Sequence, residues 1–291
     1  MTSLNTRTAG CASASKRLSL PTETAAAVIS QSGTWLYCVT DKPAAIRPDS
    51  FDHLTGVGGG ELHLVSAGGL TAVAETVSLA EFGETALRRN LEDLDWLDST
   101  ARAHHRVIDA LASQVQLVPL RLATVYREDR NVQAMLAEHG PRLRAALRRT
   151  ASRAEWGVKA YADQPAAARA EAPRGNSGQA APGSGTAYLR RRRDELAASQ
   201  QDRHAALVSA QELHAELARL AADTRLHPPQ SPELTGSKSA MILNAAYLID
   251  DQQAAGFRQA VDDLRNRLPL QLELTGPWPP YSFADAGPDL R

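Results

Sequence analysis

The chain has 291 residues, 43% of them hydrophobic but only 5% aromatic, with alanine and leucine filling much of the apolar share, a balance that favours helices over an all-β design. Lysine and arginine total 32 against 33 acidic residues, and the resulting net charge of −1 gives no global pull toward nucleic acid or an anionic membrane. No run of about 18 apolar residues is present to span a bilayer, residues 1–32 lack the basic-then-apolar build of a secretory signal, and two cysteines, Cys11 and Cys38, are too few for a disulfide framework, so a soluble cytoplasmic protein is expected.

Residues 1–32 are rich in Ser, Thr and Ala without sustained periodicity, which predicts a disordered leader. Order is expected to begin with the strand Thr34-Trp35-Leu36-Tyr37-Cys38-Val39, stopped by Asp41-Lys42-Pro43. Gly56-Val57-Gly58-Gly59-Gly60 lacks the lysine and the serine or threonine of a P-loop and precedes a strand, so it reads as a mobile loop. Residues 61–65 and 70–74 flank Ala67-Gly68-Gly69 as a β-hairpin. From 85 to 114 there is no Gly or Pro, and Leu87, Leu91, Leu94, Ile108 and Leu111 form a helical stripe. Pro119 ends that region and opens a strand over 120–126. A second helix is predicted over about 131–153, with a kink or break at Pro141. The strand 156–161 is expected to close this half.

Composition then changes. Residues 164–185 are mostly Ala, Pro, Gly and Ser, which predicts a flexible linker. Residues 186–224 hold no Gly or Pro and predict a long helix, with a single break near Gln200. The last third reads as strand (241–249), helix capped by Asp250 or Asp251 and running to Leu268, then a strand in which Leu270, Leu272 and Leu274 alternate. The expected fold class is α+β. It comprises an N-terminal domain (33–163) and a C-terminal domain (186–291), each a small sheet packed by helices with a ferredoxin-like element, the long helix opening the second.

At this point a resemblance enters. Residues 113–126 (S-Q-V-Q-L-V-P-L-R-L-A-T-V-Y), Glu155-Trp156-Gly157-Val158-Lys159, Tyr188-Leu189-Arg190-Arg191-Arg192, Leu243-Asn244-Ala245-Ala246-Tyr247-Leu248 and the tail Leu274-Thr275-Gly276-Pro277-Trp278-Pro279-Pro280-Tyr281-Ser282-Phe283 resemble the gas vesicle protein F/L family over about 34–283. The chain departs from the family in a longer leader and in Leu122-Ala123, where Phe-Gly is common. The resemblance implies a two-domain α+β accessory protein without a catalytic site. Its implied partners are the hydrophobic major shell protein and other accessory proteins of the gas vesicle, with no cofactor, nucleic acid or membrane involved. Whether the chain acts as the F or the L member stays open.

Two basic clusters and the tail supply the candidate contact residues. Arg142, Arg148 and Arg149, with Arg144, form one cluster, which reads chiefly as a solvated helix face and otherwise as a docking point for an acidic partner surface; Arg190 to Arg193 form another, which reads chiefly as paired with carboxylates of the same domain and otherwise as a phosphate-binding patch. Trp278, Tyr281 and Phe283 lie among prolines 277, 279 and 280, which impose an extended path. They would clasp the second domain or grip an apolar partner, and the clasp is preferred because an exposed aromatic patch is a liability. His104 and His105 are adjacent, point about 100° apart on a helix and cannot chelate one ion together. His204 and His214 are about 15 Å apart, so no metal is expected. A ferredoxin-like nucleic-acid module is the alternative, opposed by the neutral charge and the lack of an aromatic RNP-type strand.

Overall fold

The computed structural model describes residues 31–47, 51, 54–162, 185–231 and 239–284, without the side chains of 185–189, 191, 195 and 199. The expected leader, apart from Gln31 and Ser32, and the expected linker, apart from Gly185, lie outside the described residues.

The first strand, β1 (Ser32–Thr40), divides its side chains between two cores. Trp35, Tyr37 and Cys38 enter one; Leu36 and Val39 enter the other, with a register shift between Leu36 and Cys38. A strand covered on both faces has no polar side to show, so it reads in sequence as an unbroken apolar run. The hairpin β2 (Leu62–Ala67) and β3 (Leu70–Ser78) turns through Gly68 and Gly69, whose φ values of +57° and +74° are the left-handed pair of a type I′ turn. β3 pairs with one edge of β1. The short strands β4 (Val118–Pro119) and β5 (Val125–Tyr126) pair with the other, all antiparallel.

Two expectations for this region need correction. A continuous strand over 120–126 does not form: Ala123 adopts φ +64° and interrupts it, so that β4 and β5 pair with β1 as two separate short pieces running in one direction. The helix over 85–114 is two helices, α2 (Glu84–Asn90) and α3 (Leu94–Ala112), with the short α1 (Leu79–Phe82) just before them. The break occurs because Asp93 is extended and its carboxylate accepts from the backbone N–H groups of Asp95 and Trp96, capping α3. Leu91 and Leu94 therefore lie outside the core, while Leu87, Ile108 and Leu111 are buried as expected. On the opposite face, α4 (Asp129–Glu138) and α5 (Gly140–Thr150) break at His139, with Pro141 in the first turn of α5 where its missing N–H is harmless.

The next strand, β6 (Arg153–Ala162), does not close this sheet. It inserts between β8 (Met241–Asp250) and β9 (Leu270–Trp278) in a second antiparallel sheet of order β7-β8-β6-β9, where β7 is Asp223–Leu226. Trp156, Val158 and Ala160 on β6 pack into the second core, and both edges of the strand are hydrogen-bonded there, which decides its sheet. With α6 (Gly185–Ala218) and α7 (Ala254–Arg267), the order is β-α-β-β-α-β, the ferredoxin-like topology. The chain thus passes from the first sheet to the second between α5 and β6.

Ala206, Ala210, Leu213 and Leu217 form the buried stripe of α6, and Phe257, Val261 and Leu264 that of α7. No break occurs near Gln200: α6 runs unbroken for 34 residues, about 50 Å. It ends at Ala218, and β7, which takes up Thr224, was not foreseen as a strand. Asp250 does not cap α7, because its carboxylate accepts from Arg153 Nε at 2.7 Å and a 3-10 turn, Asp251–Gln253, precedes the helix. Among the described residues no helix is long and apolar enough to cross a membrane.

Candidate functional site

The segment after β9 lies where the two sheets meet. β9 pairs with β6 as far as Glu155 opposite Trp278, after a register shift between Gly157 and Glu155, and Gly276 is needed at that shift: at φ +117°, a Cβ there would sit 2.8 Å from the Glu155 carbonyl oxygen. Beyond it, Tyr281–Phe283 forms a single 3-10 turn. Phe283 is fully buried against Ala246 and Leu248, on the face of β8 turned away from α6 and α7. The guanidinium of Arg225 lies 5.6 Å from its ring centroid, and Arg149 Nη2 donates to its carbonyl oxygen at 2.5 Å. Ala284 packs into the first core, under α4 and α5.

Ser282 carries the polar part of the junction. Its backbone N–H donates to Glu155 Oε2 at 2.7 Å, and its hydroxyl donates to Glu155 Oε1 at 2.6 Å. His227 Nε2 lies 3.2 Å from the same hydroxyl oxygen. Burial raises the pKa of Glu155, and the two Ser282 bonds and His227 oppose that rise. Tyr281 contacts the other core, its hydroxyl 3.2 Å from His105 Nδ1, and burial raises its pKa well above the usual phenol value. Trp278 stacks edge-on to His105, with 5.2 Å between ring centroids, and remains 42% exposed. It lines an open cleft of about 480 Å³ whose other walls include Asp109, Gln116, Arg153 and Asp251.

The predicted contact residues are thus separated by the structure. Trp278, Tyr281 and Phe283 converge on the junction, and Arg149 joins them from α5. Arg142 and Arg148 point outward on α5, while Arg144 donates to the Gly68 carbonyl in the hairpin turn. Arg190 is exposed on α6, far along the chain from the helix's buried stripe, and the side chain of Arg191 is outside the described residues. His105, Glu155, Arg225, His227 and Ser282 were missed as members of this constellation. Ser282, set between two aromatics of the tail motif, and Glu155, which opens the segment 155–159, stood within motifs already singled out, but nothing in the sequence brought them together.

The glycine loop also differs from expectation. Gly58 and Gly60 N–H groups donate to the fully buried Glu75 carboxylate at 3.0 and 2.7 Å, and the Tyr37 hydroxyl donates to it at 2.5 Å. The loop does cradle a carboxyl group, but that group belongs to a side chain of β3. On the outer face of the second sheet, Glu155, Lys159, Asn244 and Glu273 alternate with the residues packed on the helices, and Phe283 covers part of it. No row of exposed aromatics stands there for base stacking. Among the described residues no group of three or more His, Cys, Asp or Glu is placed to hold a metal.

A family model described as gas vesicle synthesis protein GvpL/GvpF matches residues 33–285. The chain belongs to the GvpL/GvpF family. It is 40% identical over 251 residues to gas vesicle protein L of Streptomyces sp. (strain CB03234), covering 86% of this chain and 92% of that protein. Gas vesicle protein F of the same strain is 30% identical over 204 residues, 67% of this chain and 81% of that one. Two solved GvpF structures share the fold, each with a TM-score of 0.59 and covering 87% of this chain. The one from Anabaena sp. PCC7120 is 22% identical and 96% covered; the one from Microcystis aeruginosa is 19% identical and 98% covered. Membership in the family gives the chain an accessory role in gas vesicle formation.

Proposed function

We propose that this chain binds the hydrophobic gas vesicle shell protein, together with other accessory proteins, and holds it in the cytoplasm until it joins the growing shell, without catalysis. Family membership across residues 33–285 carries the reading. A shell subunit must keep its apolar face covered before it polymerises, and an accessory surface with apolar side chains in solvent suits that task. The long helix offers such side chains: Leu196 and Leu207, eleven residues apart and so on one face of α6, are 51% and 44% exposed. The stronger likeness to an L protein than to the F protein of the same strain supports the L role.

Co-expression with the shell protein, followed by crosslinking and mass spectrometry, tests this directly. Crosslinks are expected along α6 and near Trp278, and Leu196→Glu combined with Leu207→Glu should lose capture without altered melting. Recovery of the chain with no shell protein attached, under conditions where vesicles form, would overturn the proposal.

A further inference from the structure

The corner between α2 and α3 exposes five consecutive residues, Leu91-Glu92-Asp93-Leu94-Asp95. Leu94, at 74%, is the most exposed large apolar side chain among the described residues, and Leu91 is 38% exposed. Asp93 is occupied in capping α3, whereas Glu92 and Asp95 face solvent. Leu91 and Leu94 thus present apolar side chains to solvent within an acidic rim.

Directly beside the corner runs a groove of about 1160 Å³, between α1–α2 and residues 123–127. Leu79, Phe82, Leu87, Val125 and Tyr126 supply its apolar lining. Arg88, Arg89 and Arg127 are exposed along it, with Glu84 paired to Arg88 at 2.7 Å. An apolar groove with a mainly basic rim complements an acidic corner that presents leucines. Arg89 lines the groove and Leu91 begins the corner, so both halves of the match lie side by side on one molecule. That adjacency is what a two-fold contact requires, since each copy then offers its corner to the other's groove.

We propose that this surface is a self-association site, in which the 91–95 corner of one copy seats in the α1–α2 groove of a second copy and receives that copy's corner in return. The contact is of mixed apolar and charged character, so it weakens as salt rises. It goes beyond the accessory role above and is measured on the chain alone, so either can fail without the other.

The test is sedimentation of the full chain over a range of concentrations, at low and high salt. A concentration-dependent dimer is expected, weaker at high salt. Two charge-reversed variants sharpen it: Glu92→Arg with Asp95→Arg on the corner, and Arg89→Glu with Arg127→Glu on the groove. All four positions are exposed, so melting temperatures should stay near wild type. Each variant alone should raise the dimer dissociation constant at least ~10-fold. An equimolar mixture should dimerise again, because each reversed corner then meets a reversed groove. A wild-type chain that is monomeric throughout, or a mixture that stays monomeric, overturns the proposal. If the chain is monomeric and the variants instead lose shell-protein capture, the surface belongs to that partner, and the second-copy assignment is wrong.

Discussion

His104 sits between Trp35, whose indole N–H donates to Nδ1 at 3.0 Å, and the Leu120 carbonyl oxygen, 3.2 Å from Nε2, while its ring stacks on Tyr37. With Nδ1 accepting, the proton belongs on Nε2, and a second proton would set N–H against N–H. Burial is the largest cause of a pKa lowered to about 4. Above about 6.5 the ring is neutral in both folded and unfolded chains, and it contributes no pH dependence. As pH falls from there to 4, the unfolded chain takes a proton that the folded one refuses, so stability falls, by about 3 kcal/mol once both are protonated. His104→Gln should flatten this part of the pH profile of melting, even if it melts earlier at pH 7.5. A variant with the wild-type slope would show that other groups are responsible. Sequence spacing set His104 and His105 apart on the helix, but the buried partners of His104 lie 69 and 16 residues away and leave no local trace. The Glu75–glycine cradle was illegible for the same reason. The glycines were visible as a loop, and the carboxyl group that they bind sits a strand away.

Among the elements, the tail shows most clearly where sequence reasoning stops. Its aromatics and prolines announce a stiff, sticky segment, yet nothing local distinguishes the buried ring from the exposed one. That sorting is done by Ala246 and Leu248 beneath Phe283 and by His105 beside Tyr281 and Trp278. The consequence is measurable by urea denaturation. Phe283→Ala should cost about 3–5 kcal/mol, as for other fully buried phenylalanines. Trp278→Ala, at a ring already 42% exposed, should cost about 1 kcal/mol. Equal losses, or a larger loss at Trp278, would refute a clasp centred on Phe283. The opposite error arose at 91–93, where the leucine spacing suited a continuous helix. A single aspartate cap outweighed it, because the first N–H groups of α3 need an acceptor.

At the scale of the whole molecule, the α+β class, both hairpin strands of the first sheet and the last strand–helix–strand were legible from periodicity and turn residues. The ownership of β6 was not. Its apolar alternation shows that it is a strand, but only the pairing of 153–162 with β8 and β9 shows which sheet it completes. We therefore propose that the chain divides near residue 152 rather than along the 164–185 segment. Two co-expressed halves, split within 163–184, should co-purify as one folded complex and separate only in denaturant, since the first half supplies a central strand of the second sheet. Independent purification of two folded halves would defeat this proposal.

That same placement sets a timetable for synthesis. When Ala162 leaves the ribosome, the first sheet has all its strands, but Trp156, Val158 and Ala160 have no core, and both edges of β6 lack partners. β8 and β9 are finished only at residue 278, which at about 5–20 residues per second is a delay of roughly 5–25 s. Until β8 is complete at residue 250 both edges of this ten-residue strand lack their partners, and one still does until residue 278, leaving an edge able to pair with the same segment on a neighbouring nascent chain. The most vulnerable moment in the life of this molecule thus comes before it is released, and a chaperone that shields β6 would act on the polysome.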